Sequence, residues 1–351
     1  MSLSIFDHLW LSGLFGDPEM AAILAPERQM AHMLAFEAAW SRACGKAGLF
    51  DAAKAEEAAI AIEAAEIDFE DIAAGMGQDG VPIPRLVKQL KAIAPAEALH
   101  KGATSQDVVD TAMVLSLREA SFMIAGRLME LETHLKAIEA RFGDAPLMGR
   151  TRMQAATEMT VRDRVLAWRL PIADHLKTLD QKRADVEKVQ IGGASGDRKA
   201  LGDKADFVVA EVAKTLGLAP TDKTWQTMRH GIAGYASFLS LVTGSLGKIG
   251  QDIALMAQQG IETVSISGAG GSSAMPHKQN PVAAELLVTL ARFNATQVSA
   301  MHHAVVHEQE RSGAAWSLEW MVLPQMLMAT GRSLSMAIDL VQNIQRLGDP
   351  V

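Results

Sequence analysis

The chain has 351 residues, of which 49% are hydrophobic and 21% are charged, and this composition excludes a disordered protein and supports a substantial core. Its formal charge of -8 and its 5% content of aromatic residues disfavour nucleic acid as the main partner, because phosphate binding requires a concentrated basic surface. The single cysteine, Cys44, excludes an intramolecular disulfide framework and is typical of a reducing compartment.

Apolar residues recur at three- and four-residue steps through most of the chain, which predicts an all-α fold. Long helices with short connectors are typical of a bundle, and their low charge on several faces indicates that the bundle extends across subunits. The helix that begins at Asp107 has no Gly or Pro before Gly126 and would form a rod of roughly 50 Å. The predicted helices cover residues 21–49, 52–67, 82–93, 107–142, 161–189, 227–259, 281–309 and 318–347.

The sequence contains neither a signal peptide nor a segment that is long and apolar enough to predict a membrane span. The first ten residues lack the basic region and the long apolar stretch of a signal peptide. Residues 231–247 are uncharged, but Gly, Ser and Thr interrupt them, and they fall short of the roughly 18 apolar residues that indicate a span. We therefore predict a helix buried within a soluble, cytoplasmic protein that has no membrane partner.

Three polar segments between the predicted helices are the candidate functional regions, since catalytic groups concentrate on loops that rigid elements hold. In residues 100–107, Thr104 and Asp107 fit a capping box, while a helix N-terminus with the hydroxyls of Thr104 and Ser105 is equally a candidate carboxylate or phosphate site. His100, in the same segment, is either an acid–base group or a surface residue.

The other two segments carry cationic and nucleophilic side chains. Residues 149–157 contain Arg150 and Arg152, which indicate recognition of a polyanion unless both are simply solvated. Residues 268–281 lack the GxxxxGK[ST] pattern of a phosphate-binding loop. They instead combine a flexible glycine-rich stretch with Ser273, whose alkoxide Lys278 could stabilise.

Several further residues have simpler interpretations. Asn280 and Pro281 suit the N-cap and the first position of the helix that follows. His303 and His307 are four residues apart on one predicted helix face, but they lack a third ligand, so we expect no metal and no cofactor. Cys44 lies in an apolar helix and is predicted to be a core residue.

Residues 271–285, GSSAMPHKQNPVAAE, resemble the GSSxMPxKxNPxxxE signature of the fumarase/aspartase superfamily. Residues 100–107 resemble the first conserved region of that superfamily and residues 149–156 its second, so the resemblance covers nearly the whole chain. It implies an all-α fold with a long central bundle, assembled as a homotetramer whose active sites each combine regions from three subunits. It also divides the chain into an N-terminal helical domain, 1–106, and a central bundle domain, 107–351, without the usual small C-terminal domain.

Two features favour one branch of the superfamily. Lyases carry a histidine where this chain has Arg152, and the stretch 307–320, HEQERSGAAWSLEW, is similar to the cycloisomerases that lactonise 3-carboxy-cis,cis-muconate. In lactonisation the attacking group is a carboxylate, which needs no base in order to attack. In the reverse direction the carboxylate needs no proton in order to leave, so the reaction does not require a general acid at position 152. Three alternatives remain: a cycloisomerase for a sulfonated muconate, a lyase of the argininosuccinate or adenylosuccinate type, and a non-catalytic helical relative.

The resemblance also implies a role for each candidate site residue. Ser273 would transfer the proton to or from carbon, and Lys278 would stabilise the serine alkoxide or the aci-carboxylate intermediate. The presence of both, together with Asn280, argues against a non-catalytic relative. The residues expected to bind the substrate, a small polycarboxylate, are His100, Thr104, Ser105, Arg150, Arg152, Gln154, Asn280 and Arg311.

Overall fold

The computed structural model describes residues 4–268, 270–271 and 279–350. The fold is helical, with 68% of the chain in helices and only small sheets, which confirms the predicted fold class. The α-helices in these residues, α1 to α12 in chain order, are Ser12–Phe15, Pro18–Leu24, Pro26–Lys46, Ala52–Glu63, Phe69–Asp79, Ile83–Ile93, Ser105–Phe142, Val161–Val186, Ala205–Leu216, His230–Met256, Val282–His303 and Gly313–Gln342.

Most of the predicted rods are present, but several of their bounds were wrong. The single helix predicted for residues 21–49 is two helices, because Pro26 begins α3 and its ring cannot continue α2. The last predicted helix ends at Gln342 rather than at Leu347. The sequence prediction also missed α5 and α9.

Short antiparallel strand pairs, which were not predicted, fix the ends of the rods. A hairpin joins β1 (Pro146–Thr151) to β2 (Gln154–Thr160), so the second polar segment is not an irregular loop. The remaining strands are β3 (Val264–Ile266), which pairs with β6 (Ile344–Leu347), and β4 (Gly270–Gly271), which pairs with β5 (Gln279–Asn280).

Two clusters of buried apolar side chains form the core, and α7 contributes to both. The N-terminal half of α7 packs with α3, α4, α6 and α9 around Trp40, while its C-terminal half packs with α8, α10, α11 and α12 around Trp168. Cys44 is completely buried in the first cluster, which confirms the prediction of a core residue, and burial raises the pKa of its thiol to about 12. Because one 38-residue helix belongs to both clusters, it connects them rigidly.

The apolar segment 231–247 lies in α10, which contributes buried apolar side chains to the second cluster along its whole length. Among the residues with described coordinates, no helix combines the length and the apolar character that a membrane crossing requires.

Candidate active site

The N-terminal end of α7 is held by a capping box at Thr104 and Asp107, as the sequence predicts. The backbone N–H of Thr104 donates to Oδ2 of Asp107 at 3.1 Å. Ser105 is the first residue of the helix. The first turn of α7 is therefore well ordered by its own side chains, and it presents the helix N-terminus that favours anions.

Asp107 also fastens a distant loop to this helix end. Its carboxylate accepts hydrogen bonds from the backbone N–H groups of Gly192, at 2.8 Å, and of Gly193, at 3.0 Å. Burial raises the pKa of Asp107 to about 7, and the backbone donors oppose this rise by stabilising the carboxylate. The loop at Gly192 is thereby fixed beside Thr104.

Arg311 reaches the same place from the segment between α11 and α12. Its Nη2 donates to Oγ1 of Thr104 at 3.1 Å and to the carbonyl oxygen of Ala194 at 3.4 Å, and its Nε donates to Oε1 of Gln106 at 2.9 Å. Nη1 has no hydrogen-bond partner among the described residues. The structure therefore brings Thr104 and Arg311 together, with one guanidinium nitrogen available for an anion.

A buried cluster of charged residues lies one turn behind this group, and sequence reasoning missed it. Oδ2 of Asp110 accepts from Nη1 of Arg229 at 2.6 Å, and Oδ1 accepts from Nε1 of Trp316 at 2.9 Å. Nε of Arg229 donates to Oε1 of Glu319 at 2.9 Å. Burial lowers the pKa of Arg229, but the charges of Asp110 and Glu319 outweigh burial and raise it. The only sequence signal was the four-residue step from Gln106 to Asp110, which places both on one helix face.

His100 lies in the loop before α7 and pairs with a different carboxylate. Its Nδ1 is 2.6 Å from Oε1 of Glu37, which is completely buried in α3. Burial lowers the pKa of His100, but the hydrogen bond and charge of Glu37 outweigh it and raise the pKa above its usual value. Its partly exposed ring therefore carries a positive charge near the start of α7 more readily than an ordinary histidine.

Arg150, Arg152 and Gln154 lie on the β1–β2 hairpin and are exposed. None of the hydrogen bonds between described residues joins the hairpin to Thr104 or Arg311. The turn contains Arg152 at φ 49° and Met153 at φ 68°, the backbone of a tight two-residue hairpin turn. The hairpin thus presents its cationic side chains to solvent within this single chain.

Three sequence-predicted site residues remain, Ser273, Lys278 and Asn280. Ser273 and Lys278 are outside the described residues. Asn280 lies on β5, and its prediction as an N-cap was wrong, since Pro281 occupies the N-cap and α11 begins at Val282.

The predicted shared helix face of His303 and His307 was also wrong, because α11 ends at His303. Both ring nitrogens of His307 are buried without a hydrogen-bond partner in the described structure, and burial lowers its pKa. Among the described residues, no three His, Cys, Asp or Glu side chains are grouped so that they could hold a metal ion.

The sequence of the chain is similar to those of known enzymes. A family model described as Lyase matches residues 18–298. A 3-carboxy-cis,cis-muconate cycloisomerase of Pseudomonas aeruginosa is 35% identical over 335 residues, which are 93% of this chain and 73% of that protein. An N-acetyl-S-(2-succino)cysteine lyase of Enterococcus italicus is 31% identical, covering 98% of this chain and 77% of that protein.

The fold of the chain is also similar to that of a solved structure. The crystal structure of the 3-carboxy-cis,cis-muconate lactonizing enzyme from Pseudomonas putida matches with a TM-score of 0.89 and 34% identity, covering 96% of this chain and 77% of that one. The chain therefore belongs to the lyase family of the fumarase/aspartase superfamily, as the three sequence regions predict. It is an enzyme of that superfamily.

Proposed function

We propose that this enzyme is a cycloisomerase that lactonises 3-carboxy-cis,cis-muconate, a reaction of aromatic-compound breakdown. The observation that carries the proposal is Arg311, whose Nε and Nη2 are held by Gln106 and Thr104 while Nη1 has no partner among the described residues. A guanidinium fixed at a helix N-terminus suits one carboxylate of a polycarboxylate substrate. The relatives named as cycloisomerases, at 33–35% identity, support the same choice.

The reaction needs one new C–O bond and one proton transfer. An oxygen of a substrate carboxylate adds to an alkene carbon, and the neighbouring carbon, whose carbanion an attached carboxylate stabilises, receives a proton. We assign that proton to Ser273 and the stabilisation of its alkoxide to Lys278, on the strength of the sequence signature. The attacking carboxylate is already ionised at neutral pH, so Arg152 can bind a carboxylate where a lyase needs an acid.

The assembly that we propose is a homotetramer with active sites shared between subunits. No hydrogen bond between described residues joins the exposed hairpin with Arg150 and Arg152 to Arg311, which supports a site completed by other subunits. Large apolar side chains are also exposed on the long helices, as expected for surfaces that pack against further copies. They are Phe122 and Met129 on α7, Leu170 on α8, Leu241 on α10 and Met321 on α12.

Ultraviolet absorbance tests the proposed activity directly. The conjugated diene band of 3-carboxy-cis,cis-muconate should disappear on incubation with the purified protein, because lactonisation removes one double bond from conjugation. Sulfomuconate should react more slowly. Ser273→Ala should lose most of the activity, and turnover near the wild-type rate in that variant would refute the assigned proton transfer.

A lyase that releases fumarate from a succinylated thiol is the second candidate, because the Enterococcus italicus relative of that name covers 98% of the chain. In that reaction a C–S bond breaks and a thiol leaves, so a proton donor for sulfur would be useful. Arg152, in place of histidine, is a poor donor because it stays protonated. Fumarate formation from N-acetyl-S-(2-succino)cysteine, without loss of muconate absorbance, would favour this alternative.

A further inference from the structure

The side-chain amide of Gln106 has its orientation fixed by its neighbours. Its Nε2 donates to Oδ2 of Asp110 at 3.1 Å and to the carbonyl oxygen of Gln226 at 2.9 Å. An ionised carboxylate and a backbone carbonyl can only accept, and the guanidinium of Arg311 can only donate. The opposite amide orientation would therefore break all three hydrogen bonds, so Oε1 must face Arg311.

Asp110 can orient this amide because hydrogen bonds hold its own carboxylate in place. Four donors saturate its two carboxylate oxygens: Nε2 of Gln106, Nη1 and Nη2 of Arg229, and Nε1 of Trp316. Asp110 is fully buried, and so is Glu319, which holds the other edge of Arg229. The cluster joins α7, the start of α10 and α12, so its position is set by three long helices.

The oriented amide of Gln106 in turn holds the guanidinium of Arg311. The Oε1 of Gln106 occupies Nε, and Thr104 and Ala194 occupy Nη2, which leaves Nη1 as the unpaired nitrogen among the described residues. Without the oxygen of Gln106, the guanidinium could rotate about its long side chain and lose this alignment.

We propose that Asp110 is a positioning residue for anion binding, acting through the amide of Gln106 on the guanidinium of Arg311. This inference rests on the proposed function only in taking a substrate carboxylate as the ligand of Arg311. Arg229, Glu319 and Trp316 hold Asp110 in place, and Asp110 itself does not touch the substrate.

The proposed relay runs from Asp110 through Gln106 to Arg311. Calorimetric titration of the 351-residue chain with tricarballylate, a saturated tricarboxylate that cannot be lactonised, tests this relay. Asp110→Asn replaces one acceptor oxygen by an NH2 group, which must confront a donor of Gln106, Arg229 or Trp316. We expect about tenfold weaker binding, the loss of roughly one charge-assisted hydrogen bond. In the Arg311→Gln background the same substitution should change binding by less than about twofold, because the group that it positions is gone.

Two further variants separate positioning from stability. Gln106→Met leaves the pair of Asp110 and Arg229 intact and should weaken binding as much as Asp110→Asn does, so it carries the test if Asp110→Asn does not fold. Asp17→Asn removes another buried aspartate that pairs with an arginine, Arg127, about 25 Å along α7. It should lower the free energy of unfolding without changing tricarballylate binding.

The outcomes distinguish the relay from the proposed activity. An equal loss of affinity from Asp110→Asn with and without Arg311, unchanged binding in Gln106→Met, or no tricarballylate binding by the wild type would each overturn the relay. Coupled losses in a protein that does not lactonise muconate would support the relay and contradict the proposed reaction.

Discussion

The pair of Glu37 and His100 links the protonation of a single side chain to the stability of the whole fold. Oε1 of the buried Glu37 contacts the His100 ring, and Oε2 has no hydrogen-bond partner in the described structure. Burial of His100 is outweighed by this carboxylate, so the pKa of His100 is raised in the folded state. The pair therefore contributes stability that is complete below about pH 6.5 and is lost as the pH rises through the raised pKa.

We expect the free energy of unfolding of the wild type to fall relative to that of His100→Gln as the pH rises above about 6.5. Glutamine has no proton to lose, so the variant should lack this part of the pH dependence. Urea denaturation at a series of pH values measures the difference, with His134→Gln, a more exposed histidine, as the control. A difference between His100→Gln and wild type that does not change with pH would contradict a protonated His100.

Arg311 is the residue on which the proposed substrate recognition depends most. Arg311→Lys keeps the charge, but its single ammonium nitrogen cannot occupy the separate positions from which Nε, Nη2 and Nη1 of arginine would serve Gln106, Thr104 and a carboxylate. We expect KM for carboxymuconate to rise by about tenfold or more, with a smaller change in kcat, because a carboxylate that does not react is bound equally in the ground and transition states. Steady-state kinetics measure this split.

Arg332→Lys is the matched control for that substitution. Arg332 donates to the carbonyl oxygens of Gly13 and Leu14 at the far end of α12, so its replacement should leave KM unchanged. Equal effects of the two substitutions on KM would show that Arg311 has no special role in substrate binding.

The residues around Arg311 differ in how far the sequence reveals them. Thr104 and Ser105 are recognisable because a helix start and a family motif coincide there. Asp110, Arg229 and Glu319 look like ordinary surface charges in the sequence. Their pairing spans 119 residues in one case and 90 in the other, so only the packing of distant helices creates the buried cluster.

Among the elements, α10 and α11 pack closely where a glycine leaves room between them. A Cβ atom added at Gly250 would lie 2.5 Å from the carbonyl oxygen of Ala284 and 2.8 Å from Cβ of Leu287. Neither backbone can move without displacing a whole helix. At Gly77, on the exposed side of α5, an added Cβ would have no atom within 4 Å.

Gly250→Ala should therefore destabilise the protein by about 1–3 kcal/mol through overpacking. Gly77→Ala should stabilise it by about 0.5–1 kcal/mol, since alanine has the better helix propensity and meets no obstacle. Chemical denaturation of the two variants gives both values. If Gly250→Ala were as stable as Gly77→Ala, α10 and α11 would be farther apart than the structure shows.

The elements that the sequence predicted well are those with a long, regular apolar period, above all α7. The β1–β2 hairpin was missed because its turn uses Arg152 and Met153 rather than the Gly or Asn that usually adopt left-handed backbone angles. The strand β6 was missed because its apolar residues Ile344 and Leu347 continue the spacing of α12.

At the scale of the whole molecule, the division of the site between subunits is the main expectation. If Ser273 and Arg311 reach one active site from different subunits, two inactive variants can complement each other. Co-expressed Ser273→Ala and Arg311→Gln chains should regain about a quarter of the wild-type activity, since half of the subunits supply each intact residue at random. No regain of activity in mixed assemblies would place both residues in the same subunit.

Light scattering during size-exclusion chromatography tests the assembly itself. We expect a mass of four chains for the wild type, because the exposed apolar side chains on α7, α8, α10 and α12 need partner surfaces. Leu241→Lys would add a charge to the exposed face of α10 and should lower the assembly state, whereas Ile60→Lys, on an exposed face of α4 in the N-terminal region, should not. A monomeric wild type would remove the basis for shared sites.

We propose that the enzyme closes a muconate into a lactone by adding a carboxylate and a proton across one double bond. Proton NMR of 3-carboxy-cis,cis-muconate incubated with the protein in D2O tests it most directly. We expect a lactone with one deuterium on the carbon beside a carboxylate, and no fumarate. Unchanged substrate at stoichiometric enzyme would contradict it.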